Sequence, residues 1–280
     1  MPNRQRRSQQ NQKQGPNRFN SAGFTLVEMV VTIVIIGILG IGITNFIGRS
    51  TQGMADIAER QQVATIGWIV SEKVSRELRQ ALPNSVRMNA SNSCVEFVPT
   101  VAGTDYLDFA ISNDVSNFES APFRHYNSAL MDTSVDRVAI YPNDVTDLYK
   151  LQNPGIISGF LSQISAGVTT NAITIALAAS HRFLADSPTN RVYVVQDPVM
   201  YCFDSGFLYR YSDYGYHDTF ATGSTLKNQT VIGHRLNSGT FTYTAGALTR
   251  SAIVSINFLV TGSNGASQAI NQEVQIRNVP

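Results

Sequence analysis

The feature that most constrains this chain is an uncharged apolar run of 20 residues, 29–48, near its beginning. As a helix, this run would be about 30 Å long, which matches the hydrocarbon thickness of a bilayer. The segment before it, residues 1–23, contains five basic side chains and no acidic one. Because basic flanks stay on the cytoplasmic side, the pattern predicts a membrane helix with a cytoplasmic N-terminus and an exported remainder.

The charge of the chain is distributed unevenly. The formal charge of +1 divides into +5 over residues 1–23 and −4 over the rest. The basic segment is rich in Gln and Asn, and so polar a segment is expected to stay solvated. The whole chain is 43% hydrophobic, which leaves enough apolar sequence for a folded core beyond the membrane run. Its near-neutral charge argues against nucleic acid as a partner.

Small residues precede the apolar run, whereas an ordinary secretory signal has them after it. Gly23 is followed by Phe24 and, four residues later, by Glu28. A basic leader, Gly, Phe, this acid and an apolar run, in that order, resemble the prepilin signal of type IV pilins and type II secretion pseudopilins. The resemblance implies that a prepilin peptidase cuts between Gly23 and Phe24 and that the new amine of Phe24 is methylated. It also implies that Glu28 pairs with the N-terminal amine of a neighbouring subunit during assembly.

Two features of the apolar run have alternative interpretations. A carboxylate such as Glu28 costs on the order of 3 kcal/mol at mid-bilayer and less near the interface, so it either finds a partner or reaches the headgroups. Gly40, Thr44 and Gly48 are four residues apart and form a ridge against which another helix can pack closely. Alternatively, these small residues only loosen the helix, because an interior Gly costs about 1 kcal/mol relative to Ala.

Helical periodicity continues beyond the membrane run as far as Leu82, where Pro83 ends it. The prediction is therefore an α+β, pilin-like fold, in which a long N-terminal helix packs on a mainly antiparallel β head. The predicted segments are the cleaved leader 1–23, the transmembrane or filament-core half of the helix 24–48, its amphipathic half 49–82 and the head 83–280.

Short β-like runs separated by turns make up the head. Two pairs of these runs flank tight turns at 204–206 and 261–265 and predict hairpins. The predicted strands are 94–98, 137–141, 172–178, 191–195, 199–203, 207–211, 252–260 and 273–279.

Cys94 and Cys202 lie in predicted strands on the exported side, where thiols are normally oxidised, so a disulfide is expected. The alternative is two buried free thiols. The cysteines and the four histidines show no metal-ligand spacing, and no metal or cofactor is expected. Calcium stays open at two acidic groups, for which surface turns are the simpler explanation: Asn143, Asp144 and Asp147, or Asp105 and Asp108.

No nucleophile elbow, phosphate-binding loop or zinc-protease helix occurs, so the chain is not expected to be an enzyme. A tyrosine-rich segment is the strongest candidate for a ligand surface, for instance for a glycan such as chitin, although cross-strand packing explains it equally well. Its members are Tyr209, Arg210, Tyr211, Tyr214 and Tyr216.

The segments 75–85, 94–99, 199–203, 208–210 and 277–280 are similar to minor pilins of the mannose-sensitive haemagglutinin (MSHA) pilus. That group is itself similar to the J-type pseudopilins of type II secretion. The resemblance implies a low-abundance subunit that primes or caps a filament and that is held in the inner membrane with a periplasmic head before it reaches the pilus surface. The implied partners are major and minor pilins, through helix and head, the prepilin peptidase, the assembly platform and the lipid bilayer. A type II secretion pseudopilin and a tip adhesin are the alternatives.

Overall fold

The computed structural model describes residues 23–107, 113–123, 133–166, 171–247 and 250–276. The chain divides into two compact units, Met1–Met54 and Ala55–Pro280, called here the first and the second unit. The leader before Gly23 and the segment 277–280 lie outside the described residues, as do Asp108 and His125.

Helix α1 spans Leu26–Leu78 and contains no proline. It ends four residues before the position predicted from the sequence. The reason lies in the backbone of the next residues, since Leu82 N donates to Val98 O (2.8 Å) and Gln80 O accepts from Thr100 N (2.8 Å). Pairing with the neighbouring strand segment therefore replaces the last helical turn before Pro83.

The part of α1 in the second unit buries one face. Its buried residues recur at spacings of three and four, as expected of an amphipathic helix, and they are Val63, Gly67, Val70, Ser71, Val74, Ser75 and Leu78. At Gly67 a Cβ atom would lie 2.9 Å from the tip of the Ile270 side chain, so a larger residue there would require Ile270 to shift.

The strands, in chain order, are β1 (Arg87–Met88), β2 (Cys94–Phe97), β3 (Thr100–Asp105), β4 (Val115–Ser120), β5 (Arg137–Ile140), β6 (Ile157–Ala166), β7 (Ile173–His181), β8 (Arg191–Val195), β9 (Val199–Asp204), β10 (Phe207–Tyr211), β11 (Thr230–His234), β12 (Leu236–Thr244), β13 (Ala252–Thr261) and β14 (Ser267–Ile276). A short helix, α2 (Val145–Leu148), lies between β5 and β6. The predicted α+β class is thus confirmed, and each of the eight predicted strands overlaps one of these.

Two antiparallel sheets hold the helix of the second unit. One has the strand order β1-β2-β9-β10-β11, and the other is the meander β12-β13-β14. Both predicted hairpins, β9–β10 and β13–β14, are confirmed. On β13 every second residue from Ala252 to Val260 is buried, and these side chains form one core with Val70, Val74 and Leu78 of α1. The helix therefore supplies part of the head's core.

A third sheet, with the strand order β3-β8-β5-β6-β7-β4, is inserted between β2 and β9. Leu107 N donates to Glu119 O and Ala121 N donates to Asp105 O, each at 2.8 Å, and these bonds join the two edge strands. The sheet therefore closes into a small barrel. Its interior is filled by one apolar cluster that includes Phe118, which would otherwise be exposed on an edge strand.

Candidate functional site

The start of α1 is fixed by Thr25. Its hydroxyl accepts a hydrogen bond from Glu28 N (3.2 Å), and its carbonyl accepts one from Met29 N (3.2 Å). Thr25 is therefore the N-cap and Glu28 the third helical residue, a position where an acid is favoured by the helix dipole. This role of Thr25 was not predicted from the sequence, although Thr-x-x-Glu before an apolar run is the signature of a capping box.

The surface of α1 in the first unit is apolar on all sides. Its 16 large apolar side chains between Phe24 and Ile47 are each 48–81% exposed. Burial of one such side chain is worth about 1.5–3 kcal/mol, so leaving this surface in water costs on the order of tens of kcal/mol. Among the described residues, α1 is also the one helix that is long and apolar enough to cross a membrane. Lipid or another apolar helix surface is therefore the medium that suits this segment.

Glu28 is the one ionisable residue between Phe24 and Gly48. Its carboxylate is exposed and forms no ion pair or hydrogen bond with any side chain that the structure describes. The Thr25 cap contacts its backbone amide, not its carboxylate. A single unpaired carboxylate thus lies at the beginning of a segment suited to an apolar medium.

Gly40, Thr44 and Gly48 share one face of α1 because residues four apart lie one above the other. Nothing lies within 4 Å of a Cβ atom placed on either glycine. The Thr44 hydroxyl donates to Gly40 O (2.9 Å) and Ile41 O (3.0 Å), so its polar group is satisfied within the helix. A neighbouring helix can therefore approach this face closely, and the Thr44 hydroxyl needs no hydrogen-bond partner from that helix.

Cys94 and Cys202 form a disulfide in the structure. They are directly opposite each other in β2 and β9, the two strands between which the barrel is inserted. The bond therefore links the two ends of the chain segment that forms the barrel.

The tyrosine-rich segment divides between two surroundings. Tyr209 and Tyr211 alternate with Phe207 along β10, and their ring centroids lie 5.7 Å (207–209) and 6.3 Å (209–211) apart. Phe207 is exposed and the two tyrosines are half-buried, so the three rings form an aromatic ladder at the surface. Arg210 points to the opposite face of the strand, where its Nε donates to Glu77 of α1 (2.9 Å).

Tyr214 and Tyr216 do not belong to this ladder. The single contact surface considered from the sequence therefore does not form as one surface. The buried hydroxyl of Tyr214 donates to Glu96 Oε1 (2.7 Å), and that of Tyr216 donates to Gln196 O (2.8 Å). Burial and the nearby Glu96 raise the pKa of Tyr214. Glu96 also accepts from Arg87. The two tyrosine hydroxyls thus attach the segment after β10 to Glu96 of β2 and to Gln196, which follows β8.

The acidic groups considered for calcium have local partners. Asp144 caps α2 by accepting from Thr146 N (2.7 Å), and Asp147 accepts from Lys150 Nζ (3.0 Å). Within the described ranges, no three His, Cys, Asp or Glu residues come together in a group that could hold a metal ion.

The comparison with protein-family models matches residues 18–44 to the prokaryotic N-terminal methylation motif. The comparison with curated proteins found no match, and the comparison with solved structures found none either. The matched segment contains Gly23, Phe24 and Glu28 and most of the exposed apolar run. It supports a prepilin signal with methylation, a transmembrane helix and a structural role of the type IV pilin or pseudopilin kind. This role implies contact with other pilins and with a prepilin peptidase, and it fits an anchor in the inner membrane.

Proposed function

We propose that this chain is a minor, low-abundance pilin of an MSHA-type pilus, similar to minor pilin O, and that it helps to prime or cap the filament. The observation that carries the proposal is the methylation-motif match, which continues into an apolar helix with one unpaired carboxylate. In the proposed sequence of events, the peptidase removes the basic leader after Gly23, and the amine of Phe24 is then methylated.

Glu28 has a defined task in this proposal. Cleavage creates a charged amine at Phe24, and Glu28 of an incoming subunit neutralises the amine of the subunit ahead of it. Losing one partner of a buried ion pair costs about 3–5 kcal/mol, so the pair selects one axial stagger of the helices. The Gly40, Thr44 and Gly48 face then packs against a neighbouring helix.

Before assembly, the basic leader holds the N-terminus in the cytoplasm and the head is periplasmic. The inner-membrane assembly platform then moves the subunit into the pilus, where the head reaches the cell surface. The likeness to the MSHA group rests on the segments 75–85, 94–99, 199–203, 208–210 and 277–280. The first four of these segments contribute residues to one core of the head.

The test compares two glutamates of α1. Glu28→Ala removes the assembly carboxylate, whereas Glu72→Ala removes an exposed one that faces Arg76 on the helix surface (3.5 Å). We expect the Glu72 variant to appear in sheared filaments at the wild-type level. The Glu28 variant should stay in the membrane fraction, with at least about tenfold less in filaments. Equal amounts of both variants in filaments would contradict the role of Glu28.

A type II secretion pseudopilin is the alternative within the structural class. Deleting the gene separates the two, because a pilus subunit affects surface filaments and attachment, whereas a pseudopilin affects the release of secreted proteins. Loss of secretion with normal pili would favour the J-type assignment.

A tip adhesin is the second candidate, and the exposed aromatic ladder favours it. Replacing Tyr209 and Tyr211 together by alanine separates the two roles. An adhesin keeps its filaments and loses attachment, whereas a priming subunit damaged at a docking surface loses filaments. A normal level of both would exclude the ladder from either role.

A further inference from the structure

A cleft of about 560 Å³ lies in the second unit, where the end of α1 meets the barrel and β14. It is lined by residues that follow the helix, by residues of β3 and β8, and by Gln275 of β14. Its volume is in the range of small-molecule sites, which is about 300–1,000 Å³. None of the residues discussed for filament assembly lines this cleft.

The charge of the cleft is positive. Arg79 and Arg191 line it, and none of its described lining residues is acidic. Neither guanidinium forms an ion pair or hydrogen bond with any other described side chain. Five other arginines of the second unit do pair with a carboxylate, namely Arg76, Arg87, Arg137, Arg210 and Arg235, whereas Arg60, Arg182 and Arg250 lie outside the cleft and form no ion pair with a described residue. The cleft therefore holds two guanidinium groups whose natural partner, a carboxylate or similar anion, is not supplied by the described part of the chain.

Two nearby features oppose an anion, and neither is strong enough to reverse the sign. The C-terminus of α1 contributes about −0.5 elementary charge, which is smaller than the two full positive charges. Asp105 is opposite Arg191 in the β3–β8 register, yet no ion pair joins them. An anion in the cleft thus remains electrostatically favoured.

The neutral groups of the cleft indicate the rest of the ligand. The Tyr193 ring lies across Gly103, so close that a Cβ atom on Gly103 would be 3.3 Å from the ring. Thr100 Oγ1 is buried and has no hydrogen-bond partner among the described residues, and the Gln80 and Gln275 side chains are exposed. An aromatic ring and two amides suit a sugar, whose ring has an apolar face and whose hydroxyls need both donors and acceptors.

We propose that this cleft binds a carboxylated saccharide of the uronic-acid type. The two guanidinium groups hold the carboxylate, and Tyr193 and the glutamine amides contact the sugar ring and its hydroxyls. An acidic peptide such as poly-glutamate would engage the arginines but has no ring face to pack on Tyr193. The proposal concerns binding by the folded head and is independent of filament assembly.

The test uses the full chain in detergent micelles and isothermal titration calorimetry at pH 7 and low salt. The probes are tri-galacturonic acid, the neutral galactose trimer and penta-glutamate. We expect the acidic trimer to bind at least about tenfold more tightly than either of the others, since charge-assisted hydrogen bonds are the strong ones. Arg79→Gln and Arg191→Gln should each weaken that binding at least about tenfold. Arg182→Gln, which removes an exposed guanidinium outside the cleft, should leave it unchanged.

Three results would overturn the proposal. The first is no binding of tri-galacturonic acid at about 10 mM. The second is equal binding by the wild type and the Arg79 variant, whose exposed side chain can be replaced without disturbing the core. The third is tighter binding of penta-glutamate, which would keep the anion subsite but exclude the saccharide. A thermal melt of each variant confirms that the head is folded.

Discussion

The two parts of helix α1 have the same secondary structure and opposite surroundings. No described residue of the first unit is buried, although most of its side chains are large and apolar. In the second unit, α1 buries a face that ends with Val74 and Leu78, both with 0% exposure. Helix formation therefore does not distinguish the parts. The difference is that side chains of the head cover the apolar face of one part, whereas the apolar surface of the other part requires an apolar medium from outside the chain.

Two glutamates of α1 differ in the same way in the partners of their carboxylates. Glu28 has no side-chain partner among the described residues. Glu59 accepts hydrogen bonds from Ser263 N (2.6 Å), Ser263 Oγ (3.0 Å) and Arg235 (2.9 Å). The carboxylate in the second unit is thus paired within the fold, and the carboxylate in the first unit is free to act between subunits.

The largest difference between the two parts of α1 is expected when the same charge is placed in each of them. Val74→Asp buries an unpaired carboxylate in the head core and should destabilise the head by about 3–5 kcal/mol or unfold it. Val34→Asp, at a position that is 54% exposed, should leave the unfolding of the head unchanged and reduce the membrane-bound fraction. Urea unfolding and membrane fractionation measure the two effects. A head destabilised equally by both substitutions would contradict the division.

Removing the disulfide should affect the head alone. The double substitution of Cys94 and Cys202 by serine opens a loop closed over 108 residues and should cost about 2–5 kcal/mol. The membrane-bound fraction should not change, because α1 in the first unit contains neither cysteine. Urea unfolding of the oxidised wild type and the double variant gives the difference, and a change below about 1 kcal/mol would show that the crosslink is dispensable.

A smaller effect is expected where a tyrosine hydroxyl is buried. Tyr214→Phe leaves the fully buried Glu96 with one hydrogen bond fewer and should cost about 1–3 kcal/mol. Tyr211→Phe removes a bond to Gln229 at the surface (3.0 Å) and should cost less than about 0.5 kcal/mol. Thermal melts of the two variants test this order, and equal costs would place both hydroxyls in similar surroundings.

The smallest effect is a pH dependence at Glu59. Hydrogen bonds from Ser263 and the charge of Arg235 lower its pKa in the folded protein. Its contribution to stability is therefore present at pH 7 and is lost as the pH falls below the unfolded value of about 4.3 and through the lowered pKa. Glu59→Gln should be less stable than the wild type at pH 7, and the difference should shrink towards pH 3. A difference that grows on acidification would contradict this sign.

Local patterns in the sequence predicted the helix, the strands rich in β-branched and aromatic residues, and both hairpins. They missed β1, which has only two residues, and also β3, β4, β6, β11 and β12, in which Ser, Thr, Gly, Asn or Gln dilute the apolar alternation. The barrel also depends on contacts between β3 and β4, whose pairing no local pattern encodes. The end of α1 was placed at Pro83, because proline is a strong local signal, whereas the hydrogen bond between Leu82 and Val98 is visible only in the fold.

The candidate site, too, could be predicted only in part from the sequence. Gly23, Phe24 and Glu28 form a linear motif and were identified from the sequence. Tyr214 was grouped with Tyr211 by proximity in the chain, although its hydroxyl points to the buried Glu96. Surface and core roles of neighbouring aromatic residues depend on which face a loop covers, and this cannot be read from their spacing.

The central claim is that the beginning of the chain is a prepilin signal, and N-terminal mass tests it most directly. The protein is extracted from membranes of cells with and without the prepilin peptidase, and its N-terminal peptide is measured. We expect a chain that starts at methylated Phe24 only when the peptidase is present. A chain that still starts at Met1 in cells with the peptidase, or one cut beyond Ile47, would contradict it.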